Sequence, residues 1–362
     1  MKIGYLIEQC WHRVPGGTAV AAVGLARALA LRPDVDLVGL AARHKNLTAT
    51  EIGSPIPVVH SALPRVVLYE FWRLFGYPRI DRLVGDVDLV HASGGAVPAT
   101  NRPVVATIHD VSWRHNPDWT TRRGRRLSEG WLNDSRRAQK VICPSFVTRD
   151  DLIACGFDKT QLRVVPIGVD AIEVDSRLVT SLRSKWELNG PVVLWVGTIE
   201  PRKNLKVLVE AVSQIPEAIL VIVGPEGWGP NPYEIFYPLG DRVRLVGPVD
   251  ELTKRGWYET ADVFCYPSLL EGFGLPVAES MAQGTPVVTS VGTATEEVAG
   301  GAALTVNPNS AVAVAEAISS VLFDVNLSHK LRDDGLNRVK SLTWLSAAES
   351  TMAVYQEVLD CE

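Results

Sequence analysis

The chain has 362 residues, long enough for two domains with a core each. Hydrophobic residues make up 46% and charged residues 21%, the balance of a soluble globular protein, and a net charge of −5 gives no global reason to expect nucleic acid or an anionic membrane as the main partner. Five scattered cysteines (Cys10, Cys143, Cys155, Cys265, Cys361), none in CxxC spacing, argue for free thiols in a reducing compartment and against a disulfide framework.

The start, MKIGYLIEQC, turns polar too early for a signal peptide. The most apolar long stretch, Ala19–Leu31, is interrupted by Arg27 and is too short to span a bilayer. The expectation is a cytoplasmic protein without a transmembrane anchor. Short runs rich in Val, Ile and Leu then alternate with helical patterns. They are KIGYLI, DLVGLA, DLVHAS, PVVATIHD, KVICPS and LRVVPIG, followed after a break by PVVLWVG, AILVIVG, VRLVGP, DVFCYPS, PVVTS and AALTV. Such alternation marks parallel sheets covered on both faces. Twelve strands are too many for one compact sheet, and the polar segment Val169–Leu188, with Asp170, Glu173 and Asp175, suits a junction. The chain therefore reads as an α/β protein of two doubly wound halves, 1–172 and 173–345. The final TWLSAAESTMAVYQEVL has helical spacing and is expected to form a terminal helix over 346–362 that packs back on the first half.

In open α/β sheets, ligands sit at the carboxyl ends of the strands. In VPGGTAVAA, Gly16 and Gly17 open a helix after the first strand, though paired glycines are common turn formers. PDVDLV and GDVDLV contain Asp-x-Asp, a pattern that can hold a divalent metal, but each leads into a strand from the end away from the ligand. They read as solvated turns, and no HExxH or Cys/His cluster exists, so no metal is expected. In ATIHDVSW, His109 and Asp110 end a buried strand and are functional candidates. Ser145, after the next strand, suits a helix cap. Between these, Arg122, Arg123, Arg125, Arg126, Arg136, Arg137 and Lys140 crowd one segment near Trp113, Trp119 and Trp131, opposed only by Glu129 and Asp134. A solvated face is the plain reading, and a peripheral membrane contact is the functional one.

The second half opens with WVGTIEPRKNL. Gly197 and Thr198 form the turn, and Arg202 and Lys203 precede a helix starting near Asn204. Two cations at a helix start are unfavourable unless an anion lies between them, which suggests phosphate. In SLLEGFGLPVAES, Gly272, Phe273 and Gly274 form a tight turn, with Leu275 and Pro276 at the start of the following helix. Glu271 stands just ahead of that helix, and Glu279 is expected in its first turn. Dipole complementarity would explain Glu279 alone. A carboxylate also accepts two hydrogen bonds at once, so it suits vicinal hydroxyls. Two carboxylates beside a phosphate site suggest a nucleotide-sugar.

Together these motifs resemble the retaining glycosyltransferases of the GT-B fold, specifically family four, over nearly the whole chain and most strongly from Val192 to Ser290. EGFGLPVAE is similar to that family's Glu-x7-Glu element, GTIEPRKN to its diphosphate-binding loop and PGGT to its first glycine loop. HD, PSFVTRDDL and PIGVD stand in family order, although Ile167 occupies a position that is commonly asparagine. The resemblance implies two Rossmann-like domains facing across a cleft, the first binding the acceptor and the second the donor. It implies that Glu279 holds the ribose, that Glu271 holds hydroxyls of the transferred sugar, and that Arg202 and Lys203 neutralise the leaving diphosphate in place of a metal. Backbone around Phe273 and Gly274 would touch sugar and phosphate, and His109 would sit near the transferred sugar, with Asp110 and Ser145 behind it. Among family members, TIHD and EPRKN look most like bacterial mannosyl- and rhamnosyl-type enzymes of surface-polysaccharide synthesis, which points to GDP-mannose as donor and a glycan or lipid-linked acceptor. The rival readings are a nucleotide-sugar epimerase on a similar fold and a catalytically silent nucleotide-sugar-binding module. A dinucleotide oxidoreductase lacks its GxGxxG after the first strand.

Overall fold

The computed structural model describes residues 1–12, 16–45, 53–228 and 232–361. It divides into two compact units, one of Met1–Gly168 with Thr343–Glu362 and one of Val169–Leu342.

Seven parallel strands carry the first unit: β1 (Lys2–Leu6), β2 (Asp36–Ala41), β3 (Val58–His60), β4 (Leu89–Ala92), β5 (Val104–Thr107), β6 (Lys140–Cys143) and β7 (Leu162–Val164). Their order is β3-β2-β1-β4-β5-β6-β7. Ile3, Tyr5, Leu6, Leu89, Val90 and Val105 are wholly buried, as sheet residues covered by helices on both faces must be. β3 gives no readable signal in the sequence, because it is three residues long and only half-buried.

The helix Trp344–Leu359 belongs to this first unit. Two glycines make room for its start. A Cβ on Gly24 would fall 2.3 Å from the Trp344 ring, and one on Gly168 would fall 2.4 Å from the Trp344 backbone nitrogen. Farther along, the Tyr355 hydroxyl lies 2.6 Å from His91 Nδ1, whose Nε2 meets Thr107 Oγ1 at 2.8 Å.

The second unit has six parallel strands: β8 (Val192–Val196), β9 (Ile219–Val223), β10 (Val243–Gly247), β11 (Val263–Tyr266), β12 (Val287–Ser290) and β13 (Leu304–Val306), in the order β10-β9-β8-β11-β12-β13. β8 and β9 are buried throughout. The strand order reverses between β8 and β11, and the chain leaves these neighbours in opposite directions. Such a switch point is where an open α/β sheet places its ligand. The first unit has the same switch between β1 and β4. Among the described residues, no single helix is long and apolar enough to cross a bilayer.

Candidate active site

At the carboxyl end of β8 the chain makes one tight turn, Pro201–Lys203, before the helix Leu205–Ser213. Gly224 is a packing requirement of this end: a Cβ there would stand 2.0 Å from the Gly197 carbonyl oxygen. Asn204 adopts the left-handed conformation at φ 57°, which asparagine tolerates better than most residues. Its Nδ2 donates to the carbonyls of Pro267 at 3.1 Å and Pro308 at 2.6 Å, tying this turn to the loop after β11. The Leu269 amide donates to the Arg202 carbonyl at 2.8 Å, a second tie between the same loops.

These ties bring Arg202, Lys203 and Glu271 together. Arg202 Nη1 lies 2.8 Å from Glu271 Oε2, and Lys203 Nζ lies 2.7 Å from Glu271 Oε1. Arg202 Nε also meets Glu200 Oε1 at 2.6 Å. Lys203 further donates to the Tyr266 hydroxyl and lies over that ring at 4.9 Å. Lys203 and Glu271 are each only 7% exposed, so water screens this knot little. Burial alone would raise the Glu271 carboxyl, but Arg202 and Lys203 outweigh it and hold it at about 2. Burial pushes the Lys203 ammonium down, aided by Arg202, and the attraction of Glu271 does not fully offset this.

One expectation is corrected here. Arg202 and Lys203 do not require an outside anion, because Glu200 and Glu271 already balance them. Glu200 stands in the same GTIEPRKN motif, and its charge was the readable signal. Tyr266, at the end of β11, gave none.

Gly274 caps the next helix, Leu275–Ala282, at φ 99°. A Cβ there would lie 2.6 Å from Thr295 Cγ2, so glycine is required by both conformation and space. Because the helix starts at Leu275, Glu279 is its fifth residue and lies past the first turn, which corrects the expected position. Its partners are side chains of the neighbouring helix Glu251–Thr260. Glu279 Oε1 meets Lys254 Nζ at 2.9 Å and Arg255 Nη2 at 3.5 Å, and Oε2 accepts from the Tyr258 hydroxyl at 2.9 Å. Burial opposes charge on Lys254, yet Glu279 and Glu251 raise its pKa above the ordinary value. Lys254, Arg255 and Tyr258 were not read from the sequence. Their spacing puts Lys254 and Tyr258 on one helix face, a signal visible only once the partner helix is known. Phe273 is buried beside this loop.

In the first unit, His109 follows β5. Its Nε2 lies 3.1 Å from the Ser93 carbonyl, and burial lowers its pKa, so the neutral ring donates from Nε2. Asp110 instead accepts from the Ser112 amide at 2.9 Å, so the two side chains are neighbours in sequence and not a hydrogen-bonded pair. Ser145 caps the helix Phe146–Ala154 by accepting from the Thr148 amide at 3.1 Å, and Thr148 Oγ1 reaches the His109 carbonyl at 3.4 Å. A pocket beside His109 is lined by Tyr5, Ser93, Thr107, Pro166 and Trp344. Gly16 caps the helix Gly17–Ala30, and a Cβ on Gly16 or Gly17 would meet nothing within 4 Å. Val14 and Pro15 of that motif lie outside the described residues.

The remaining acidic and basic motifs resolve locally. Asp34 pairs with Arg32, Asp86 with Arg102, and Asp88 accepts from the Lys2 amide at 2.7 Å. These acids stand at the amino ends of β2 and β4. Three cations of the basic segment are also tied to the fold, two of them while exposed. Arg136 donates to the Gly156 carbonyl at 2.8 Å and covers the Phe157 ring, Arg137 donates to the Val97 carbonyl at 2.7 Å, and Lys140 pairs with Glu357 at 2.7 Å.

Two family models match the chain. One described as Glycosyltransferase Family 4 covers residues 15–172, and one described as Glycosyl transferases group 1 covers residues 190–324. O-antigen chain mannosyltransferase B of Escherichia coli is 29% identical over 282 residues, 74% of each chain. Phosphatidyl-myo-inositol mannosyltransferase of Mycolicibacterium smegmatis is 28% identical over 387 residues, 99% of this chain and 94% of that one. Among solved structures, sucrose-phosphate synthase from Thermosynechococcus elongatus superposes with a TM-score of 0.79 at 23% identity over the full length of both chains. Anabaena HepE, crystallised with UDP and glucose, gives 0.76 at 18% identity over 99% of this chain and 100% of that one. These likenesses fit the two parallel-sheet Rossmann-like units to the GT-B fold. The chain is a glycosyltransferase, and it belongs to glycosyltransferase family 4.

Proposed function

We propose that this enzyme is a retaining, metal-independent hexosyltransferase. It takes its sugar from a nucleoside-diphosphate donor, with GDP-mannose as the first choice, and passes it to a glycan or lipid-linked acceptor in surface-polysaccharide synthesis. The observation that carries this reading is the buried Arg202–Glu271–Lys203 knot at the switch between β8 and β11. The mannosyltransferase names of two relatives favour mannose, and the UDP and glucose of HepE favour a nucleotide-sugar donor class.

In this reading the donor's diphosphate takes over Arg202 and Lys203. Glu271 is then released toward the hydroxyls of the sugar. Glu279, fixed by Lys254 and Tyr258, keeps acceptor capacity for the ribose hydroxyls. As the bond between the anomeric carbon and the phosphate oxygen breaks, charge grows on the departing diphosphate. The two cations already stand where that charge develops, so little reorganisation is needed. The acceptor oxygen bonds to the same face of the anomeric carbon, and its proton passes to the departing phosphate oxygen. His109 stands at the carboxyl end of β5, the ligand end of its own unit's sheet.

The test is to incubate radiolabelled GDP-mannose with the enzyme and washed bacterial membranes in EDTA. Label entering the lipid or polymer fraction with release of GDP supports the proposal, and the Arg202→Ala/Lys203→Ala variant should be inactive while folded. Transfer that appears only with added magnesium or manganese would remove the metal-independent part. Conversion of the donor to an epimeric sugar without acceptor would establish the epimerase instead.

A further inference from the structure

Arg202 and Lys203 share Glu271, and each also has a side-chain partner of its own. Arg202 Nε meets Glu200 Oε1 at 2.6 Å, and its Nη1 donates to the Leu270 carbonyl at 2.9 Å. Lys203 donates to the Tyr266 hydroxyl, with its ammonium over that ring. A lysine ammonium has three N–H groups to place. Tyr266 and Glu271 take two of them, and the third has no partner among the described residues.

The separate partners sit on fixed backbone. Tyr266 closes β11 and is wholly buried, and its ring stacks on Phe264 at 5.6 Å with 21° between the planes. Burial pushes its phenol well above the ordinary pKa, so it stays a neutral hydroxyl whose oxygen can accept from Lys203. Glu200 precedes the turn Pro201–Lys203, and its carbonyl accepts from the Lys203 amide at 3.1 Å. The residue before it, Ile199, donates to the Pro225 carbonyl at 3.0 Å and bridges to Glu226 beyond β9. Glu271 instead lies in the loop between β11 and the helix Leu275–Ala282, followed by Gly272. The partner on a loop is the one free to be exchanged, and the partners on the sheet are the ones that stay.

A diphosphate that displaces Glu271 takes the shared partner from both cations at once. Long flexible side chains left unheld would then have to be ordered by the ligand, which costs affinity. We propose that Glu200 and Tyr266 are the positioning residues of the diphosphate site: Glu200 holds Arg202 and Tyr266 holds Lys203 in place as Glu271 gives way to the ligand. Neither residue touches the ligand itself. These roles rest on the reading of Arg202 and Lys203 as the diphosphate site.

Calorimetric titration with inorganic pyrophosphate in EDTA tests them, because this probe carries the diphosphate without base or sugar. Glu200→Gln and Glu200→Ala both remove the charge, but only glutamine keeps an oxygen for Arg202 Nε. The alanine variant should bind pyrophosphate about tenfold more weakly than the glutamine variant. Tyr266→Phe keeps the stacked ring and removes the hydroxyl, and it should also weaken binding about tenfold. The same loss should appear when Tyr266→Phe is added to Glu271→Gln, because the hydroxyl acts on Lys203 and not through the carboxylate. Pyrophosphate bound equally by the two Glu200 variants, or as tightly by Tyr266→Phe as by wild type, overturns the proposal even if Tm falls, since a purely structural role would lower Tm alone. A Tyr266→Phe effect that vanishes beside Glu271→Gln overturns it too. Should Glu200→Ala fail to fold, the Tyr266→Phe arms decide. Wild type that ignores pyrophosphate, or Arg202→Ala/Lys203→Ala that binds it as well as wild type, removes the diphosphate site itself and these roles with it.

Discussion

Glu271 is held between two cations in a nearly dry site, and this makes its charge a stability term. Its folded carboxyl lies at about 2 against an ordinary 4.5. A depressed carboxylate adds stability that is fully present above the unfolded value and is lost as pH falls through the folded value. The contribution is on the order of 3 kcal/mol, and it should fade between pH 4.5 and pH 2, the two values just given. The stability difference between wild type and Glu271→Gln, measured by urea unfolding, should therefore be large at neutral pH and narrow steadily in acid. A difference independent of pH would show that Glu271 is not held ionised by Arg202 and Lys203. Glu279→Gln should weaken nucleotide binding and also lower Tm, because breaking a buried ion pair by removing one partner costs about 3–5 kcal/mol. The dual effect distinguishes it from a residue that touches only ligand. Both glutamates were legible in the sequence, because spacing around a glycine turn marks them. Their partners were not. Glu200 was overlooked beside Arg202, and Tyr266, Lys254 and Tyr258 join the site through packing of strands and helices that the chain order does not reveal.

At the scale of elements, the candidate donor site depends on two loops locked to each other and to the helices behind them. Gly274 is the most demanding position, with its left-handed φ and the methyl of Thr295 only 2.6 Å from where a Cβ would stand. Gly274→Ala should cost at least about 1–2 kcal/mol from the backbone alone, with further loss from the contact. Thr295→Ser removes the methyl and keeps the hydroxyl that bonds Thr289 at 2.8 Å. The double variant should recover the contact part and retain the backbone part, a non-additivity that thermal unfolding reads directly. Simple additivity would mean the loop moves aside and the turn is not locked. The strands themselves were readable, since twelve of the thirteen described match apolar runs that lie in sequence order. β3 was missed because three half-buried residues carry no periodicity.

At the scale of the whole molecule, the chain returns to its first unit after completing its second. Trp344 fills the space left by Gly24 and Gly168, and Tyr355 bonds the buried His91. Truncation after Leu342 should therefore destabilise the first unit and expose Tyr5, Leu29 and Ala26, detected as loss of its cooperative unfolding step and gain of apolar-dye binding. A truncated chain with an unchanged first transition would contradict this. The helical spacing of the last segment was legible. Its fit against two distant glycines was not, because no local pattern links residues 24, 168 and 344. The central claim, that Arg202 and Lys203 are the diphosphate site and Glu271 the sugar site, is tested most directly by calorimetric titration of GDP and GDP-mannose into three proteins. Wild type should bind both, and Arg202→Ala/Lys203→Ala should bind neither. Glu271→Gln should keep or improve GDP affinity, because the competing carboxylate charge is gone, while losing the extra contribution of mannose. Equal loss of GDP affinity in both variants, or undiminished affinity in the double variant, would contradict the account.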